Sequence, residues 1–147
     1  MLSLMQDHPL LISSLLTFAE RHHGDGEIVS RRVEGDTHRY TWGDVATRSR
    51  QVANALDASK LEFSDRVATL AFNGYRHLEL YYGVSGSGRV LHTINPRLHP
   101  DQIAWIVNHA EDQILAFDLP FLPLIQAVHT RCPTVRQWVA LCDADKL

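Results

Sequence analysis

The 147-residue chain predicts an α/β fold: an open, mainly parallel sheet of about four βα units, with an N-terminal helix and β-hairpin beside it. Four short β-rich runs, RVATLAF, GRVLHTI, DQILAFD and VRQWVAL, are separated by helical segments, and parallel neighbours need a crossover long enough to hold a helix. The runs lack a clean apolar/polar alternation, as expected where a parallel sheet is covered on both faces. Hydrophobic residues at 45% and charged residues at 21% set aside the disordered, collagen-like and disulfide-scaffold classes.

The elements follow in order. Ile12, Leu15, Leu16 and Ala19 recur at helical spacing after Pro9, and Arg21-His22-His23-Gly24 supplies a basic last turn and a stop. An amphipathic first helix is expected, with those four residues as its buried face. EIVSRRV and THRYTW, separated by Glu34-Gly35-Asp36, form a hairpin signal. Thr41, three residues before Asp44, has the spacing of a capping box, and Val45, Ser49, Val52, Ala53 and Leu56 line one face of the next helix. Among the βα units, Asn73-Gly74 opens a helix carrying Leu78 and Tyr82. Pro100 opens one carrying Ile103, Ile106, Val107 and Ala110, and Phe121, Leu124, Ile125 and Val128 face one way in the last. The expected division is residues 1–42 as helix plus hairpin and residues 43–147 as βα repeats. No covering helix follows the fourth strand in LCDADKL, so the chain reads as a partial subdomain of a larger fold.

A net charge of -3 with scattered Lys and Arg argues against a nucleic-acid partner, which would call for a basic face. Cys132 and Cys142 have no zinc-finger partners and read as reduced structural thiols. The apolar N-terminal stretch has no Lys or Arg before it, is interrupted by Asp7, Ser13, Ser14 and Thr17, and is too short to span a bilayer. The expectation is a cytoplasmic protein with no transmembrane segment.

The chemistry on offer is sparse. Gly83, Gly86 and Gly88 have the wrong spacing for a dinucleotide fingerprint and follow a helix into a strand. The only lysines are Lys60 and Lys146, and no phosphate loop of the G-x-x-x-x-G-K-[ST] kind exists. Ser85 and Ser87 sit in no nucleophile elbow. His22, His23 and Asp25 are explained by a helix end, as is His109, so no metal ligands are assigned. Asp118, with Lys146 downstream, invites comparison with a phospho-acceptor site, but the first βα corner reads Phe72-Asn73-Gly74 and lacks the acidic pair that would hold Mg²⁺. Asp118 is therefore expected to be a helix cap. Ligands of open parallel sheets bind beyond the carboxyl ends of the strands, which makes Asn73, Arg76 and Arg97, with His99, candidate contacts for an anion. Asn95 and Pro96 also suffice to set a plain turn there. No catalytic residue is assigned.

Three segments, RYTWGDVATRSRQVANAL, DRVATLAFNGYRHLELYYGV and VLHTINPRLHPDQIAWIVNHAEDQILAFD, together resemble the N-terminal part of the adenylate-forming acyl-CoA synthetases, closest to the branch acting on medium- and long-chain fatty acids. The HTINPRL run followed by NHAED is the most specific part. The resemblance implies a ligase that converts ATP and a fatty acid to an acyl-adenylate and diphosphate, and then uses coenzyme A to displace AMP, with Mg²⁺ neutralising phosphate charge. It also implies that the phosphate loop, the Mg²⁺-holding Glu, the ribose-binding Asp and the catalytic Lys belong to later sequence, so that this portion alone is inactive. Arg89 and Ser85 depart from the small residue and the Pro usual at those places, which bears on the turn between them. Two other readings are a stand-alone flavodoxin-like binding or regulatory module, and an oligomerisation scaffold forming a homo-oligomer through an uncovered apolar face.

Overall fold

The computed structural model describes residues 4–143. Helix α1 (Ile12–His23) leads into a hairpin of β1 (Glu27–Arg31) and β2 (Thr37–Thr41), then α2 (Trp42–Ala58). Strand β3 (Arg66–Leu70), α3 (Tyr75–Ser85), β4 (Val90–Thr93), α4 (Pro100–Ala110), β5 (Ile114–Phe117), α5 (Leu122–Val128) and β6 (Gln137–Ala140) complete it. The hairpin pairs Ile28 with Tyr40 in antiparallel register. The four later strands form one parallel sheet in the order β4-β3-β5-β6.

Local chemistry explains the boundaries. Thr41 Oγ1 accepts from the Asp44 N–H at 3.3 Å while Asp44 Oδ2 accepts from the Thr41 N–H at 2.9 Å, the reciprocal cap that starts α2. Pro100 begins α4 behind His99. Pro120 and Pro123 break the last crossover into a 3-10 turn, Leu119–Phe121, and the short α5.

The sheet is covered by α2 and α3 on one face, through Leu56, Val67, Leu80 and Val84. On the other face α4 and α5 pack Ile103, Val107, Ile125 and Val128 against Leu115 and Phe117. Ile103 and Leu115 are fully buried, and each contributes about 1.5–3 kcal/mol by transfer from water. A third cluster, Leu16, Tyr40, Val45, Ala46 and Tyr75, fastens α1 and the hairpin to α2 and α3.

The first helix departs from expectation. Leu16 is buried, but Ile12 and Leu15 are 47% and 58% exposed. The helix rests on α2 and α3 through one side chain, with Glu20 paired to Arg50 of α2, so its apolar stripe is wider than the surface offered to it. Arg89 is accommodated: its side chain is 8% exposed and donates to Asp57 Oδ1 at 2.6 Å and to the Leu61 carbonyl at 2.7 Å, stapling the β4 entrance to the end of α2. Gly88 ahead of it takes φ +79 beneath Phe63, a conformation open to glycine.

The cover is unequal. β5 is buried along its length whereas β6 is only partly covered, and an apolar groove of about 240 Å³ runs beside Ala55 and Leu56 over Ile114, Ala116, Val139 and Leu141. No helix among the described residues is long and apolar enough to cross a membrane.

Candidate functional site at the strand switch point

From β3 the chain passes to β4 on one side, and from β5 to β6 on the other. The carboxyl ends of the adjacent strands β3 and β5 thus diverge, the place where open α/β sheets form a crevice. Two loops build it. After β3 the chain turns through Phe72 and Asn73 to Gly74, which caps α3 with no side-chain hydrogen bond. After β5, Asp118 turns inward, and its Oδ2 accepts the Phe72 N–H at 2.7 Å, tying the two loops together.

Asp118 therefore does not cap the 3-10 turn that follows. The carboxyl is spent on the Phe72 N–H of the facing loop. Burial raises its pKa, against the pull of the Phe72 N–H and of Arg76 and His77. His77 lies beside it, 6% exposed, with Nε2 3.0 Å from Thr69 Oγ1. Burial lowers the His77 pKa, so the ring is neutral at neutral pH.

The hairpin turn roofs the crevice through charges. Arg32 donates to Asp36 at 2.6 Å and to Asp143 at 2.7 Å, while Arg76 pairs with Glu34 and Asp143, both at 2.8 Å. Asp143 is held below the usual carboxylate range by Arg76 and then Arg32. Asp143, Glu34 and Asp36 thus neutralise both guanidiniums, and the enclosed interior is about 20 Å³, room for one water-sized group. Behind it, buried Glu79 receives Arg48 at 2.5 Å, and His38 stacks on Tyr75 with centroids 3.8 Å apart.

The candidates read from sequence are dispersed. Asn73 is exposed on the crevice rim, beside Ser30, His77 and Tyr81. Arg76 lines the crevice, but its charge is consumed by Glu34 and Asp143. Arg97 is exposed at the end of β4, without an ion pair among the described residues. Its N–H donates to Asn95 Oδ1 at 3.0 Å, the Asx turn that explains the Asn-Pro-Arg corner. His99 is occupied as the α4 cap, accepting from the Asp101 N–H. Arg76 thus lies in α3 after β3, whereas Arg97 and His99 lie in the corner after β4. Lys146 lies outside the described residues. Sequence reasoning missed Arg32, His77 and Asp143, because pairing between the hairpin, α3 and the segment after β6 leaves no local pattern.

A parallel sheet with a switch-point crevice and a docked hairpin defines the class, an open-sheet α/β domain. The sequence of the AMP-binding enzyme family matches residues 16–145, and the chain belongs to that family. It is 48% identical over 141 residues to 3-methylmercaptopropionyl-CoA ligase of Ruegeria lacuscaerulensis, covering 96% of this chain and 26% of that protein. It is 46% identical over 141 residues to medium-chain-fatty-acid–CoA ligase of Ectopseudomonas oleovorans, again covering 96% and 26%. The structure of a Mycobacterium tuberculosis fatty acyl CoA synthetase superposes with a TM-score of 0.75 at 23% identity over 88% of this chain and 26% of that one; that likeness concerns the fold. The chain thus spans about a quarter of the relatives it matches.

Proposed function

We propose that this chain is the N-terminal portion of an AMP-forming acyl-CoA ligase for fatty acids, with residues 1–42 as its helix and hairpin and residues 43–147 as its βα repeats. The observation that supports this reading is the agreement along nearly the whole chain with ligases of which it spans only 26%. The whole ligase joins a carboxylate to coenzyme A at the expense of ATP. The carboxylate is a poor acyl donor until AMP makes its oxygen a leaving group.

ATP, Mg²⁺ and coenzyme A belong to the activity of the whole enzyme. The crevice residues do not fit a triphosphate: two of its three arginines, Arg32 and Arg76, are already neutralised, and the space between the lining residues is about 20 Å³. The role that fits these residues is a scaffold that fixes the β3 and β5 loops. Arg97 and the crevice-lining Arg31, both exposed and without an ion pair among the described residues, have charge to spare for an anionic group, whereas Asn73 and Arg76 serve the turn and the ion network.

The related 3-methylmercaptopropionyl-CoA ligase extends the acid class to short thioether acids beside medium-chain fatty acids. The test is diphosphate exchange into ATP with octanoate. This chain alone gives none, whereas a chimera in which it replaces the matching quarter of the Ectopseudomonas ligase does. Exchange by the chain alone, or a folded but inactive chimera, overturns the reading.

A further inference from the structure

Helix α3 begins without a side-chain cap, and the N–H groups of Tyr75, Arg76 and His77 have no acceptor among the described residues. Amides at a helix start, with the dipole behind them, favour an anion. His77 supplies an independent sign of a ligand. The residue is 6% exposed and its Nε2 is engaged by Thr69 Oγ1, yet Nδ1 has no hydrogen-bond partner among the described residues, a state that calls for an occupant. The Phe72 carbonyl, whose pull the ring feels, already accepts the Gly74 N–H at 2.9 Å. Arg31 lines the same crevice. Its charge is free because Glu34, Asp36 and Asp143 serve Arg32 and Arg76.

Space sets the size of the ligand. The crevice interior of about 20 Å³ takes one oxygen, and a second hollow of about 240 Å³, lined by Ser30, Asn73 and Tyr81, meets it at Gly74 and His77. We propose that the start of α3 binds a single phosphate group, with one oxygen in the crevice interior, the remainder in the hollow, and Arg31 as the countercharge. The Thr69 hydroxyl donates to His77 Nε2, which leaves the ring proton on Nδ1 to face the phosphate. Three amides, an imidazole and a guanidinium outnumber the two oxygens of a carboxylate. Asp118 shares the crevice, but its Oδ2 is occupied by the Phe72 N–H. Free phosphate and the phosphate of a monoester share this chemistry, and neither needs any part of the ligase beyond these residues.

In the 147-residue chain, inorganic phosphate added at constant ionic strength should shift the amide resonances of Tyr75, Arg76 and His77 saturably, with a Kd of about 1 mM or below, and chloride should not. Arg31→Gln should weaken binding about tenfold, the loss of one charge-assisted hydrogen bond, whereas Arg97→Gln should leave it unchanged. A Cβ on Gly74 would meet nothing within 4 Å, and its φ of -132 is open to any residue. Gly74→Asp therefore lays a carboxylate of the chain's own on the same amides, and should abolish phosphate binding while keeping or raising the thermal midpoint. Methyl phosphate separates the two sources: affinity equal to that of phosphate admits a monoester, a tenfold loss restricts the site to the free ion, and either result upholds it. The site is overturned by the absence of a saturable shift, by equal shifts with chloride, by a response lost in Arg97→Gln instead of Arg31→Gln, or by undiminished binding to folded Gly74→Asp.

Discussion

Asp118 bridges two loops with a buried carboxyl. Asp118→Ala leaves the Phe72 N–H without its partner and should destabilise the chain by about 1–3 kcal/mol in urea titrations. Asp118→Asn retains an acceptor oxygen and sheds the buried charge, so it should restore most of the loss at neutral pH; equal loss in both variants would refute the bridge. Histidines set the pH profile. His92 Nδ1 lies 2.9 Å from Oδ2 of fully buried Asp112, and that hydrogen bond raises its pKa above 6.5. Its contribution is fully present below the unfolded value and is lost as pH rises through the folded one. Burial lowers the pKa of His77 and His38 from 6.5, so their contribution is present above that value and is lost as pH falls. Stability should therefore be greatest near the ordinary imidazole pKa, and His92→Gln should flatten the alkaline limb of unfolding midpoints measured across neutral pH.

At the scale of elements, the α2–α3 contact is the tightest in the molecule's first half. A Cβ on Gly83 would stand 2.6 Å from Val52 Cγ1 and 2.8 Å from the Ser49 carbonyl oxygen. Gly83→Ala should cost about 1–3 kcal/mol by overpacking, opposed by up to about 1 kcal/mol of helix propensity. Val52→Ala in the same chain should recover part of it, giving a nonadditive double-mutant cycle by calorimetry; additive effects would refute the close approach. The glycine had been legible only as punctuation near a helix end, because close approach between helices leaves no mark in spacing along one of them. The reciprocal cap of Thr41 and Asp44 and the Pro100 helix start were legible, since their partners lie within three residues. Asp118 holds the cap position, but its side chain does not cap, because its partner comes from a loop 46 residues away.

For the whole molecule, the βα rhythm was readable because each unit repeats a local pattern, and the parallel sheet followed from crossover length. The strand order β4-β3-β5-β6 was not readable, since nothing local distinguishes a neighbour from a strand one place further. It is this order that sets the crevice between β3 and β5, so of the two corners named from the sequence Asn73-Gly74 lies at the crevice and Asn95-Pro96-Arg97 lies one strand away. The exposed stripe of α1 was not readable, because periodicity reports which side of a helix is apolar and says nothing of how much surface awaits it.

The roof of the crevice joins the hairpin to α3 largely through Arg32, Arg76, Glu34 and Asp143, whereas the sheet beneath is held by apolar packing. Dissolved ions shield the first kind of attachment within about 8 Å at physiological strength and leave the second almost untouched. Concentrated electrolyte would thus loosen the lintel, the turn carrying Glu34 and Asp36, while the masonry of Tyr40 against Tyr75 holds the strands in place.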